Sequence, residues 1–121
     1  MIRAAKTGSY VCYLGPNTML PMVHIDDCIE GIIKFMSVPR GSLTRSVYNI
    51  QAMSVDPESL RSAIVAQTGQ PLAVSYTPDY RQAIADSWPD RLDDTLARRD
   101  WGWSPRHDLT ATIRSLLKSF K

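Results

Sequence analysis

The segment from residue 24 to residue 37 carries the clearest structural signal in the chain. It reads His24-Ile25-Asp26-Asp27-Cys28-Ile29-Glu30-Gly31-Ile32-Ile33-Lys34-Phe35-Met36-Ser37. Within it, apolar residues recur with the spacing i, i+3, i+4 and i+7. They are Ile29, Ile32, Ile33 and Met36. This spacing predicts a helix over about 26–37 with a buried apolar stripe, and Pro39 and Gly41 are expected to end it.

Acidic residues mark the start of this predicted helix. Asp26 or Asp27 can cap it, and Asp27 with Glu30 fits a capping box, in which side-chain oxygens accept hydrogen bonds from free backbone amides. The pairs Asp26-Asp27 and Asp93-Asp94 could also act as acid–base pairs. Both pairs lie at predicted helix starts, where the helix dipole favours negative charge, so capping explains them.

Short strands and helices alternate along the rest of the chain. The predicted strands are 10–14, 46–50 and 72–76. Residues 1–8 are expected to be the end of a helix, and a second helix is opened by Asp56-Pro57-Glu58 and ended by Gly69. A short helix or turn is predicted at 81–88, and another short helix from 93 or 94 to 100 or 101. The last predicted helix is capped by Asp108 and covers 109–120. This alternation predicts an α/β fold with about three short strands and four to five helices.

The predicted elements expose more apolar surface than they can cover. The helix faces at 29–36 and 109–120 each need a sheet or partner helices. A chain of 121 residues is one domain or part of one, and three strands of about five residues make a small sheet. We therefore expect residues 1–121 to bury a core that is too small for all the predicted helices.

Composition excludes several classes of function. The net charge is +2, and the arginines near residue 100 are interspersed with aspartates, which indicates a solvated salt-bridged face and no nucleic-acid partner. No apolar run approaches the ~18 residues of a membrane helix, so we expect no membrane partner. The first ten residues lack the apolar core of a signal peptide, and two cysteines give neither a disulfide framework nor metal-ligand spacing. These features predict a cytoplasmic protein with reduced thiols.

Three groups of residues are candidates for chemistry, each with a structural alternative. His24 and Cys28 could form a nucleophile pair with a local carboxylate, or could be a strand-end histidine and a buried helix cysteine. His24 and His107 with a carboxylate could bind a metal, although no ligand spacing supports it, and no metal is expected. The segment Trp101-Gly102-Trp103 could be a stacking platform, but such aromatics more often anchor a helix to the body.

The run Arg81-Gln82-Ala83-Ile84-Ala85-Asp86-Ser87-Trp88-Pro89 mixes an arginine, a carboxylate, a hydroxyl and a tryptophan. A surface helix would carry more charge, and a core helix would not hold these polar residues together. The mixture is typical of a pocket wall, where a few polar groups and an aromatic side chain face a small ligand. Arg81 and Trp88 are the candidate ligand-binding residues, with a purely structural role as the alternative.

Two motifs are absent from the sequence. The six glycines form neither G-x-x-G-x-x-G nor G-x-G-x-x-G, so the chain has no turn that would hold the phosphates of a dinucleotide. None of the five tyrosines has a lysine four residues later, so the chain contains no Tyr-x-x-x-Lys pair. An enzyme that uses a tyrosine base beside a lysine cannot be built from these residues alone.

Three segments carry a resemblance to a known superfamily. The first, Met22-Val23-His24-Ile25-Asp26-Asp27, resembles a strand-to-helix motif F-I-H-V-D-D. The second, Val47-Tyr48-Asn49-Ile50, resembles a Y-N-I strand. The third, Asp94-Thr95-Leu96-Ala97-Arg98 with Trp101-Gly102-Trp103-Ser104-Pro105, resembles a D-x-x-K-A…L-G-W-x-P ending. In this order and at this spacing they resemble the C-terminal third of the extended short-chain dehydrogenases/reductases (SDRs), the NAD-dependent epimerase/dehydratase superfamily.

Within that superfamily, the short-chain L-threonine 3-dehydrogenases are the most similar. The segments concerned are Leu20-Pro21-Met22, Asn49 with Ala52-Met53-Ser54, Arg81–Pro89 and Asp100-Trp101-Gly102-Trp103. Sugar-nucleotide enzymes of the superfamily usually place an arginine where this chain has Leu20, to meet a diphosphate. The missing cation favours a small amino-acid substrate.

The resemblance implies that cofactor binding and catalysis belong to a part of the enzyme that precedes this chain. In the family, the nucleotide-binding half, the Tyr-x-x-x-Lys pair, the serine or threonine beside it and a threonine-and-aspartate segment for the substrate all precede the matching region. Residues 1–121 are then the C-terminal substrate-binding and dimerisation lobe of an extended Rossmann-type SDR, lacking the dinucleotide-binding half. The parent enzyme would use NAD to oxidise threonine to 2-amino-3-ketobutyrate.

The same resemblance sets the expected partners. They are the N-terminal nucleotide-binding half, a small amino-acid substrate bound by Arg81 and Trp88, and a second copy in a homo-oligomer. For this chain alone we expect no bound cofactor and no catalysis. Two alternatives remain: a noncatalytic binding or oligomerisation module from a truncated gene, and the equivalent lobe of a sugar-nucleotide epimerase.

Overall fold

Two pairs of short strands organise residues 1–120, the part of the chain described in this computed structural model. Strand β1 (Ser9–Cys12) runs parallel to β4 (Ala73–Tyr76), with Ser9 opposite Ala73. Strand β2 (Leu20–Met22) is antiparallel to β3 (Met53–Val55), with Leu20 opposite Val55. Each sheet has two strands, so the helices supply most of the packing surface.

Five α-helices surround these strands, and the predicted α/β class is confirmed. They are α1 (Ile25–Ser37), α2 (Pro57–Thr68), α3 (Tyr80–Asp86), α4 (Thr95–Trp101) and α5 (Leu109–Ser119). Short 3₁₀ turns occupy Ile2–Lys6 and Arg40–Ser42. The five helices lie within one or two residues of their predicted bounds, and the segment predicted as a short helix or turn forms α3.

Several helix ends follow from residues within one turn of them. Asp56 and Asp108 each accept a hydrogen bond at 2.7 Å from the amide three residues on, which caps α2 and α5 as predicted. Gly69 and Gly102 adopt φ values of +67° and +72° at the ends of α2 and α4. A side chain is disfavoured at such φ values, so glycine stops these helices.

The predicted cap of α1 is wrong. His24 is the N-cap residue, and its Nδ1 accepts a hydrogen bond from the Asp26 amide at 3.2 Å. Asp27 points into the protein, where it bonds to residues 106 and 107, and Glu30 pairs with Arg106. The capping box is absent because the carboxylates of Asp27 and Glu30 are both used in contacts with a distant segment.

The predicted strand at 46–50 is also wrong. Strands β2 and β3, which the sequence did not predict, pair with each other. Within the described residues, 46–50 pairs with no strand. A strand needs a neighbour for its backbone groups, and alternating apolar residues alone cannot supply one.

Six of the buried side chains within residues 1–120 form two separate apolar clusters. The first has Ile64, Leu72 and Ile113 at its centre, and it joins α2, α5 and the sheet of β1 and β4. This confirms the predicted apolar face of α5, which contributes Leu109, Ile113 and Leu117. The second contains Ala97, Trp101, Trp103 and the partly buried Phe35, Tyr48 and Ile50. Within residues 1–120, Ile64 and Ile113 are the only large side chains that are buried completely, so the core is small, as expected.

The predicted burial of the apolar face of α1 is wrong. The exposed fractions are 48% for Ile29, 51% for Ile32, 59% for Ile33 and 78% for Met36. The neighbouring Ile25 is exposed as well. The helix forms as its periodicity predicts, but no other described element packs on this face. We call these five residues the α1 stripe.

Within residues 1–120, no helix combines the length and the hydropathy that crossing a bilayer requires.

Candidate functional site

A groove forms beside α3, and both predicted ligand-binding residues line it. Its volume is about 220 Å³. One wall comes from the end of β1 and the start of β2, and the other comes from α3 and the turn after it. The lining residues are Tyr13, Leu14, Leu20, Arg81, Ile84, Ala85 and Trp88. The fold therefore places Arg81 and Trp88 in the lining of the same groove.

Local sequence explains why α3 presents Arg81 at this place. Asp79 is the N-cap of α3, and its carboxylate accepts a hydrogen bond from the Arg81 amide at 2.9 Å. The helix ends after seven residues, and Pro89 follows shortly after. Ala85 is the buried residue that holds α3 against the body, since most of its other side chains are exposed.

The Arg81 guanidinium is held on two sides. Its Nε and Nη2 donate to the Asp79 carboxylate, with the shortest distance at 2.7 Å. Its carbon Cζ lies 3.4 Å from the centre of the Tyr13 ring, which is a cation–π contact. The hydrogen bonds from Arg81 hold the pKa of Asp79 below its usual range, and Asp79 raises the pKa of Arg81. Both groups are therefore charged at neutral pH.

One edge of the guanidinium is available to a ligand. A guanidinium has five N–H donors, and Asp79 uses the edge formed by Nε and Nη2. Within residues 1–120, the Nη1 group donates no hydrogen bond. A carboxylate can bind that outer edge with two parallel hydrogen bonds.

The remaining lining of the groove is apolar and open to solvent. Trp88 is 57% exposed and Ile84 is 50% exposed. Leu20 lies on the opposite wall, where sugar-nucleotide enzymes are expected to have an arginine. Arg81 is thus the cation of this groove, with apolar surface around it.

A second cleft, of about 390 Å³, lies beside the end of α3. The turn at 15–18 forms one side of it, and Asp86 and Asp90 form the acidic side. Gln82 lines neither cleft, but it hydrogen-bonds to the turn. Sequence reasoning missed Gln82. Its position in the mixed polar run was the only signal, and that run did not show which residue it contacts.

The fold brings the two candidate metal ligands His24 and His107 together. The two rings stack with centroids 4.0 Å apart and an angle of 13°. Atoms of His24, Asp26 and His107 lie within 4.8 Å of one another. Nδ1 of His24 already accepts from a backbone amide, and Nδ1 of His107 is bonded to Asp27 at 2.8 Å. Both Nδ1 atoms thus hold structural bonds, and we assign no metal to this cluster.

The candidate nucleophile pair of His24 and Cys28, which the sequence left open beside a structural reading, does not form. The second ring nitrogen of His24, Nε2, lies 3.2 Å from the hydroxyl of Ser115. With Nδ1 bonded to the Asp26 amide, both nitrogens are engaged by groups other than the thiol. His24 therefore connects the start of α1 to α5.

Asp27 is a buried carboxylate that joins two distant parts of the chain. It is 2% exposed and accepts hydrogen bonds from the amides of Arg106 and His107 at 3.0 and 2.9 Å. Burial raises the pKa of Asp27, but the hydrogen bonds and the charge of His107 outweigh it and hold the pKa below its usual value. These structural contacts account for the lowered pKa of Asp27 without a role in acid–base catalysis.

The tryptophans at 101 and 103 anchor α4 to the body, as predicted. Both are buried, and Nε1 of Trp103 donates to the Gln51 carbonyl and to Asp94, each at 3.1 Å. The salt-bridged face is confirmed nearby, with Arg98 bound to Asp94 and Arg99 bound to Asp100. These residues are structural and lie outside the groove beside α3.

The chain resembles part of larger proteins. It is 44% identical to mitochondrial L-threonine 3-dehydrogenase of Bos taurus over 115 residues, which is 94% of this chain and 31% of that protein. It is 40% identical over 121 residues to an uncharacterized epimerase/dehydratase of Staphylococcus haemolyticus, covering 37% of it. The chain thus spans about a third of the length of the curated relatives it matches. No family profile matches the chain.

Its structure matches solved structures in the same way. L-threonine 3-dehydrogenase of Trypanosoma brucei superposes with a TM-score of 0.94 at 36% identity, over 98% of this chain and 37% of that protein. The chain matches the C-terminal part of L-threonine 3-dehydrogenases and epimerase/dehydratases, which confirms the resemblance seen in its motifs.

Proposed function

We propose that this chain is the substrate-side part of an NAD-dependent L-threonine 3-dehydrogenase. The observation that carries the proposal is the match to enzymes of that name over nearly the whole chain, in sequence and in structure. The groove beside α3 supports it independently, since one arginine in an apolar lining suits a small amino acid. In the complete enzyme, threonine would be oxidised at its β-hydroxyl to 2-amino-3-ketobutyrate.

The chain supplies binding groups and depends on a preceding part for catalysis. It has no Tyr-x-x-x-Lys pair and no glycine-rich phosphate turn. NAD, when bound by the preceding part, would accept the hydride from the β-carbon. The residues of this chain would hold the substrate and exclude water from it.

Arg81 would bind the carboxylate of the substrate. Its outer edge is free, its inner edge is fixed by Asp79, and Tyr13 supports its face. A donor that is held on two sides loses little freedom when it binds a ligand. Trp88, more than half exposed at the rim, would form the wall that covers the side of the substrate.

The α1 stripe would dock onto the nucleotide-binding part. Five large apolar side chains on one helix face are exposed, and such a patch marks an interaction surface. Beside it lies the segment 46–50, whose Val47 is exposed and which has no strand partner within residues 1–120. A sheet from the preceding part could pair with 46–50 and cover the α1 stripe at once.

The test of the proposal is a chimera in which this chain replaces the matching 31% of the bovine enzyme. We expect it to form NADH from threonine, and the 121-residue chain alone to form none. Arg81→Ala in the chimera should lower kcat/KM for threonine about tenfold, or ~1.4 kcal/mol, because the carboxylate loses its partner. An effect within about twofold, under ~0.5 kcal/mol, would show that Arg81 does not bind substrate.

Arg98 provides the matched control. Its side chain is 46% exposed and paired to Asp94, and that of Arg81 is 44% exposed and paired to Asp79, but Arg98 lies outside the groove. Arg98→Ala should leave kcat/KM for threonine unchanged. Binding of a UDP-sugar by the chimera would instead support the epimerase alternative.

The noncatalytic alternative makes a different prediction. A module that acts through its exposed apolar face would associate with itself and would gain no activity from the bovine part. A chimera that folds, binds NAD and leaves threonine unchanged would favour this alternative.

A further inference from the structure

We propose that Gln82 is a positioning residue, which joins the two walls of the groove and so fixes Arg81 relative to the Tyr13 ring. This inference rests on the proposed function of the groove. Gln82 does not line the groove itself. It lies next to Arg81 in α3, and its carboxamide points to the turn that follows Tyr13 in the chain.

The carboxamide of Gln82 is bonded at both of its ends. Its Oε1 accepts a hydrogen bond from the Gly15 amide at 2.7 Å. Its Nε2 donates to Oγ1 of Thr18 at 2.9 Å and to the Asp86 carboxylate at 2.7 Å. A glutamine amide has two donors and one acceptor oxygen, so this set uses all of them.

These bonds connect parts of the chain that are far apart in sequence. Gly15 and Thr18 are 67 and 64 residues from Gln82. The groove has one wall from residues 13–20 and one from residues 81–88, and Gln82 bonds the second wall to the first. Arg81, the residue before Gln82, also connects the two walls, because its guanidinium contacts the Tyr13 ring.

The helix that carries Arg81 has few other attachments. It has seven residues, and Ala85 is the one that is buried. Backbone bonds from Thr77 to Cys12 and from Asp79 to Tyr13, the latter at 3.3 Å, hold only the segment that leads into it. Without the Gln82 bonds, α3 could shift relative to Tyr13, and the outer edge of Arg81 would move with it. A displacement of about 1 Å in such a site can cost up to ~100-fold in rate.

The test is a double-mutant cycle in the chimera with the bovine enzyme. Gln82→Met keeps the length of the side chain and removes its hydrogen bonds. We expect it to lower kcat/KM for threonine about tenfold through KM. Gln82→Glu keeps the acceptor for the Gly15 amide but places a second carboxylate against Asp86, so it should retain only part of the activity. If Gln82 acts through Arg81, Gln82→Met should have almost no further effect in an Arg81→Ala background.

Additive effects of Gln82→Met and Arg81→Ala would overturn the inference, because a general loss of structure does not depend on Arg81. Equal activity of Gln82→Met and the parent chimera would overturn it as well. Gln67→Met is the control, since Gln67 is also half-buried but lies on α2, and its activity should be unchanged.

A measurement on the 121-residue chain separates this inference from the proposed function. Hydrogen exchange of the Gly15 amide should accelerate at least about tenfold in Gln82→Met, whether or not any threonine is oxidised. Unchanged exchange would overturn the bridge itself. An inactive parent chimera with accelerated exchange would overturn the proposed function and leave the bridge supported, but without a role in catalysis.

Discussion

Asp27 shows how one carboxylate can connect two distant segments. It is nearly inaccessible, yet it receives two backbone hydrogen bonds and one from the His107 ring, which satisfy its oxygens. Hydrogen bonds to a charged group in such a place stabilise more than neutral ones. The residue therefore fixes the segment before α5 against the start of α1.

Replacing Asp27 by asparagine should destabilise the chain by about 2–3 kcal/mol, because the neutral amide keeps one oxygen for the two backbone N–H donors but loses the negative charge and the second oxygen, which bonds to the His107 ring. The measurement is the free energy of unfolding from urea denaturation at pH 6. Asp26→Asn is the control, since the side chain of Asp26 is 62% exposed, and it should change the free energy by less than about 1 kcal/mol. Equal effects of the two changes would contradict the structural role of Asp27.

The same variant has a predicted pH dependence. The pKa of Asp27 is lower in the folded chain than its ordinary value, so its ionised form stabilises the fold above the unfolded pKa of ~3.9. That stabilisation is lost as pH falls through the folded pKa. The difference in unfolding free energy between the parent and Asp27→Asn should therefore shrink below about pH 4. A difference that grows on acidification would show that the sign is wrong.

At the scale of elements, α1 is fixed by a close contact with the segment after α4. A Cβ atom at Gly31 would lie 2.6 Å from Cζ3 of the buried Trp103. Real Cβ contacts are longer, and Trp103 is held by its hydrogen bonds to Gln51 and Asp94. Glycine is thus needed here for space and not for a special backbone conformation.

Gly31→Ala should therefore destabilise the chain by about 1–3 kcal/mol through overpacking, although alanine is favoured over glycine in a helix by ~1 kcal/mol. Thermal unfolding followed by circular dichroism measures the change. Gly41→Ala is the control, because an added Cβ at Gly41 meets nothing within 4 Å. If Gly31→Ala raised the melting temperature, the contact with Trp103 would be less tight than described.

At the scale of the whole molecule, the fold leaves a continuous apolar face uncovered. The two small cores bury few large side chains completely, while the α1 stripe remains in solvent. Burying a large apolar side chain contributes about 1.5–3 kcal/mol, so this face is a strong driving force for association. The proposed partner is the nucleotide-binding part of the enzyme.

Charges placed on the α1 stripe should block that association without unfolding the chain. Ile32→Glu with Ile33→Glu should abolish binding to the separately expressed N-terminal part of the bovine enzyme, measured by size-exclusion chromatography with light scattering. Both positions are exposed, so the free energy of unfolding should change by less than about 1 kcal/mol. Ser62→Glu, on the exposed side of α2, is the control and should leave binding intact. Binding that survives the double change would contradict the proposed docking face.

The sequence by itself determined the helices, the ends of α2, α4 and α5, and the α/β class. Helical periodicity and capping depend on residues within about one turn of each other, so the printed order of residues contains the information. It also predicted that Arg81 and Trp88 belong to one pocket wall, because both lie in a single short run.

Only the tertiary structure decided the contacts between residues that are far apart in the chain. The pairing of β2 with β3, the inward turn of Asp27, the stacking of His24 on His107 and the bridge from Gln82 to the turn at 15–18 all join segments about 30 to 90 residues apart. The α1 stripe shows the same dependence on distant segments. Its spacing fixes which residues share a face, but burial of that face depends on a surface that its own local sequence does not specify.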